Sequence, residues 1–272
     1  MITVSTARAI ELANQVLVNN PFVAWYNEGA TATLGGTAII AGGERANAVT
    51  GSTYDKWRPN VTGTTAALSF DFGTARTIKF ASIAAHNAYT FGATVALQSS
   101  PNNSVWTTVS SALAVKGAMA FRVTGSARYW RFNFTGLTAS NALSVGVAFM
   151  GQELVIPTRL YQGFAPVITP TEVQLQSNVS VGGELLGSSV ITQGSRLSVD
   201  ISLVHPTFIR GANWMDFQTA FGIGKGFFFA WRPQKYPQDL HYCWRDGDVI
   251  RPTNTGPLDF MNISMGARVH NG

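Results

Sequence analysis

A chain of 272 residues with 46% hydrophobic but only 12% charged residues, 27 glycines and a single cysteine has length enough for two cores and about half the charge of an ordinary globular surface. The lone Cys243 excludes an internal disulfide framework and a cysteine-rich zinc site. The net charge of +5 comes from residues scattered along the whole chain with no run of Lys or Arg, which argues against nucleic-acid binding through a basic stripe, and no apolar run reaches the roughly 18 residues of a membrane span.

The N-terminal MITVSTARAIELANQV contains Glu11, no early basic cluster and no unbroken apolar segment. It does not read as a secretory signal, so the chain is expected to be made in a cytoplasm. Residues 5–17 read as one short helix capped by Ser5 or Thr6, turning extended at Val16, Val18 and Asn19-Asn20-Pro21. From there to about residue 150 the pattern is strands and turns. Leu68, Phe70 and Phe72 alternate with Ser69 and Asp71, and Gly73 is expected to close that strand. Residues 77–85 are apolar at both parities, as in a strand covered on both faces. Residues 94–98 and 105–109 form two further strands around the turn cluster SSPNNS.

ARYWRFNF, residues 127–134, places Trp130, Phe132 and Phe134 on one face and Tyr129, Arg131 and Asn133 on the other. A core strand with the three rings inward is favoured over an open sugar-stacking platform, because exposed aromatic patches of this size are rare.

The segment GQELVIPTRLYQGFAP opens a second region near Met150, giving domains of 1–150 and 151–272. Residues 171–180 and 197–204 alternate as long antiparallel strands. Trp214, Phe217 and Phe221 at helical spacing predict a short amphipathic helix within 206–222, stopped by Gly222 and Gly224. Strands are expected at 227–232, 240–245 and 258–269, with a tight turn at Arg245-Asp246-Gly247-Asp248.

Catalytic chemistry is not written clearly anywhere. The four histidines lack zinc spacing. Asp239, His241 and Cys243 share one face of a strand, but same-face neighbours stand about 7 Å apart, too far to activate a thiol. Asp246 and Asp248 lack the remaining ligands of a calcium loop, and GIGKG at 222–226 lacks the spacing of a phosphate-binding loop. No catalytic, metal or cofactor residue is assigned, and the chain is expected not to be an enzyme.

NPFVAWYNEGATATLGG, ANAVTGSTYDKWRP, LSFDFG, ATVALQSSPNNSVWTTV and ARYWRFNF, in that order, resemble the discoidin (factor V/VIII type C) family of galactose-binding-like jelly rolls over residues 16–150. The matching elements are Trp57 after an Asn-containing loop, the Asp71-Phe72-Gly73 turn, Ser99 to Trp106, and Ala127-Arg128-Tyr129. The resemblance implies an eight-stranded jelly roll whose relatives bind glycans or lipid headgroups through loops at one end, although the usual disulfide is missing. Tyr54, Trp57, Arg58, His86 and Tyr89 are the loop residues it nominates; the alternative is that Trp57 caps the sandwich from inside.

GFFFAWRPQKYPQDLHYCWRDGD, after the helix bearing Trp214 and Phe217, resembles tail-tip and distal-tail proteins of tailed bacteriophages. The fold class expected is therefore all-β: a jelly-roll sandwich followed by an antiparallel barrel or sandwich with one short helix. That resemblance implies a structural protein of the virion tail, forming a homo-oligomeric ring with the tail tube and baseplate hub as partners. A carbohydrate-binding module touching a host-surface glycan is the alternative.

Overall fold

The strand containing ARYWRFNF sets the architecture. The computed structural model describes residues 1–15, 18–160, 163–168, 172–255 and 258–271. Its first half contains β1 (Ile2–Val4), helix α1 (Thr6–Asn14), β2 (Phe22–Ala24), β3 (Thr33–Gly36), β4 (Thr65–His86), β5 (Thr94–Ser100), β6 (Thr107–Leu113), β7 (Met119–Thr135), β8 (Val145–Gly151) and β9 (Leu154–Val155). The second contains β10 (Glu172–Val179), β11 (Leu185–Val204), helices α2 (Pro206–Ile209) and α3 (Ala212–Gly222), β12 (Phe227–Ala230), β13 (Leu240–Arg245), β14 (Thr253–Asn254) and β15 (Met261–Val269).

One sheet runs β3-β4-β7-β5-β6, with β1 added to β7 and β8 to β4; the other runs β10-β11-β15-β13-β12-β2-β9, with β14 on β15. The described pairs are antiparallel except β1 with β7. In β7, Trp130, Phe132 and Phe134 are fully buried while Tyr129, Arg131 and Asn133 are only partly so, as period-two alternation requires. The outward Arg131 lies 4.1 Å over the Trp106 ring and donates to Gln98.

Phe121 and Phe132 lie on the same strand, and eleven residues of straight strand span roughly 36 Å. Their ring centroids are nevertheless 6.5 Å apart. β7 therefore folds back over itself, and β4 does likewise, pairing 65–71 with one end of β7 and 76–83 with the other. The sheet closes over a core of Phe70, Ile83, Phe121, Trp130, Phe132 and Phe134, among others. Gly73, expected to end a strand, instead lies inside β4 at a break in register. Its φ of +72° and a hydrogen bond from its amide to the Asp71 carboxylate hold a bulge, which bends a strand without ending it.

The second half is an open antiparallel sheet carrying a helix, and no barrel closes among the described residues. Its terminal strands do not pair with each other: β10 pairs with β11 and β9 with β2. The helical spacing at 206–222 is realised as two pieces, α2 and α3. Trp214, Phe217 and Phe221 of α3 face Phe227 and Phe229 in a second core that also encloses Cys243. Alternate residues of the same strands, Phe228, Ala230, Leu240 and Tyr242, turn the other way onto Phe80, Val147 and Phe149 of the first sheet. β8 and the centre of the second sheet are thus buried on both faces, so their apolar residues run without a break. β2, from the first half of the chain, pairs with β12 and β9 and completes the second sheet.

An ionic seam crosses from α1 to the segment joining the halves. The buried Glu153 carboxylate accepts two bonds from Arg122, at 2.6 and 2.8 Å, and another from Arg8. Arg8 also meets Glu11, which in turn holds Lys79 and the Thr124 hydroxyl. Ser5 caps α1 by accepting from the Arg8 amide, which places Arg8 and Leu12 on the inward face.

Candidate functional site

The loop end of the jelly roll carries a cleft of about 500 Å³, lined by Ile40, Tyr54, Lys56, Arg58, Pro59 and Ser144 among others. It is built from the long connection between β3 and β4 and the short one between β7 and β8. Besides a 3-10 turn at Arg45–Val49, the long loop is stitched by its own polar groups. The Thr50 hydroxyl accepts from the Ser52 amide and the Ser52 hydroxyl accepts from the Tyr54 and Asp55 amides, the local turn chemistry that Ser and Thr supply. The Arg58 amide donates to the Gly43 carbonyl at 3.2 Å. A Cβ on Gly43 would stand 2.6 Å from that of Arg58, so only glycine allows this approach. Asn87 clamps the opposite wall, donating to the Ala142 carbonyl and accepting from the Ser144 amide, both at 2.8 Å.

The five nominated residues separate. Tyr54 is 86% exposed and lines the cleft with the exposed Arg58. Trp57 points inward: it is fully buried, its ring lies 5.9 Å from that of Phe134, and its backbone forms a two-way bridge with Val145. It anchors the loop that presents Tyr54. His86 is buried at the end of β4, and burial pushes its pKa down to about 4. Tyr89 is half-buried against the first core and packs on His86 at 6.3 Å. Ile40, Lys56 and Ser144 were not among the residues nominated. Lys56 and Ile40 lie outside the aromatic signature, and Ser144 reaches the cleft through a strand pairing that no local pattern reveals.

Elsewhere, Cys243 is enclosed in the second core, where burial drives its thiol pKa up. The Asp239 carboxylate is taken by the Trp231 indole at 2.9 Å. Among the described residues no group of three or more His, Cys, Asp or Glu side chains is placed to hold a metal ion. No helix is long and apolar enough to cross a membrane among them.

No protein-family model and no curated protein matches the chain. Solved structures do resemble it over about half its length. Chitosan-binding module 1 from a chitosanase/glucanase of Paenibacillus sp. IK-5 matches with a TM-score of 0.40 and 19% identity, covering 47% of this chain and 99% of the module. The CBM32 of AlyQ, in complex with 4,5-unsaturated mannuronic acid, matches at 0.37 and 17%, covering 47% and 97%. CpGH89CBM32-5 from Clostridium perfringens, in complex with GalNAc-beta-1,3-galactose, matches at 0.40 and 10%, covering 47% and 100%. At these levels the similarity assigns neither a family nor a ligand to this chain.

Proposed function

We propose that the first half is a carbohydrate-recognition module whose loop-end cleft receives a sugar. The observation that carries this reading is the Tyr54 ring, almost wholly in water on a stitched loop, beside Lys56 and Arg58. A pyranose has one face of C–H bonds that covers an aromatic ring and a rim of hydroxyls that accept from cationic donors. A preformed cleft with one apolar platform and a few polar groups suits that shape. Glycan-array screening of the full chain tests the proposal: wild type retains at least one glycan and Tyr54→Ala loses at least tenfold of the signal. Failure to retain any glycan, or equal retention by the variant, refutes it.

A second reading concerns the other half and rests on a separate observation. β10 and residues 185–194 of β11 form a two-stranded ribbon that carries Val173, Leu175, Val179, Leu185 and Val190 in the open. Leu175 opposes Val190 and Val179 opposes Leu185, so these side chains share one face, while Gln174, Gln176 and Asn178 occupy the other. Such a ribbon is marginal in water, and its free edges invite pairing. We propose that copies of the chain join through it into a ring, as a structural component of a phage tail tip or baseplate. Light scattering after size exclusion tests the association: wild type is oligomeric and Leu175→Asp with Leu185→Asp is monomeric. A wild-type monomer at high concentration overturns it.

A further inference from the structure

A second and larger cleft, of about 800 Å³, lies where the two halves meet. One wall is α1 and the neighbouring part of β4, where Arg8 and Lys79 are held in the ionic seam with Glu11 and Glu153. The other wall is α3. That helix turns Trp214, Phe217 and Phe221 into the core and leaves Asn213, Asp216 and Thr219 on the cleft side. The back wall is the dipeptide after β2: Trp25 packs on Phe217 at 6.4 Å, and Tyr26, more than half exposed, crosses it at 5.7 Å and 61°.

Several polar groups in this cleft are unengaged, although Arg8, Lys79, Gln152, Glu153 and Thr219 already have partners. Among the described residues, the side chains of Trp25, Tyr26, Asn213, Asp216 and Lys225 form no hydrogen bond or ion pair. They comprise an acceptor-only carboxylate, a donor-only ammonium, an amide that does both, and two rings with polar edges. The free charges of Asp216 and Lys225 cancel. A ligand that satisfies this set is uncharged, bears groups that donate and accept at close spacing, and has an apolar face for the Tyr26 ring. The volume is within the roughly 300 to 1,000 Å³ of ligand sites, and the ionic seam keeps the α1 wall in place before anything binds. An extended peptide fits less well, because the sheet edge bordering the cleft is β9, only two residues long, and main-chain pairing is what gives such peptides their affinity.

We propose that this cleft binds a short neutral oligosaccharide, independently of the loop-end cleft. Saturation-transfer NMR and calorimetry of the full chain with maltotriose, cellotriose, mannotriose and chitotriose test it. At least one binds saturably, Tyr26→Ala weakens that binding at least tenfold, and Asp216→Asn weakens it severalfold. Ile223→Trp, at the exposed cleft end of α3, blocks it without moving the melting temperature. Tyr54→Ala leaves it unchanged, which separates this cleft from the first. The proposal is overturned if none of the four sugars binds, if binding survives Tyr26→Ala, or if a (Val-Thr)3 hexapeptide binds more tightly than all of them.

Discussion

Phe228→Ala tests whether the two halves are one cooperative unit. The ring is fully buried at the junction of the two sheets, with centroids 5.8 Å from Phe80, 5.7 Å from Phe149 and 4.9 Å from Tyr242. Two of those neighbours belong to the first half and one to the second. Burying such a ring contributes about 1.5 to 3 kcal/mol by transfer from water. The unrelieved cavity and lost ring contacts raise the cost of truncation to about 3 to 5 kcal/mol. Denaturant unfolding followed by tryptophan fluorescence is expected to show one transition in the wild type, since Trp57 and Trp130 report on one half and Trp214 on the other. In the variant that transition moves as a whole to lower denaturant. Hydrogen exchange by segment provides the check: residues 119–135 and 261–269 lose protection together. Two separate wild-type transitions, or a loss confined to the second half, would refute the shared core.

Tyr54→Ala is expected to change stability by less than about 0.5 kcal/mol, and Trp57→Ala to lower it by about 3 to 5 kcal/mol; equal effects in thermal melts would contradict the opposite placements of the two rings. Bonds from Lys79, Arg8 and Thr124 lower the Glu11 pKa from 4.5 to about 2. A carboxylate depressed in the folded state stabilises above its unfolded pKa and loses that contribution as pH falls through the folded one. Wild type should therefore lose stability between about pH 4.5 and 2 by a component absent in Glu11→Gln, and superimposable pH profiles would refute it. Cys243, enclosed and with its thiol held protonated by burial, should resist iodoacetamide in the native protein and react once denaturant is added; labelling at equal rates in both states would contradict its placement.

Periodicity alone determined which way many side chains face. Trp130, Phe132 and Phe134 had to share a buried face because a strand alternates sides. Trp214, Phe217 and Phe221 had to share another because a helix returns every three to four residues. The doubly apolar 77–85 marked a strand covered on both sides, and β4 is indeed sandwiched between two cores. What local pattern could not carry was anything depending on distant pairing. Gly73 has the same φ preference in a bulge as at a strand end, so the continuity of β4 depended on its partner β7. The membership of β2 in the second sheet arises from bonds to residues more than 130 positions away. The candidate site divides likewise: aromatic and basic residues in the long loop were visible in the chain, but whether Tyr54 or Trp57 met water depended on which ring the Trp57–Val145 bridge drew inside. A side chain's face is a local property of backbone geometry, whereas its exposure depends on what the rest of the chain packs against it.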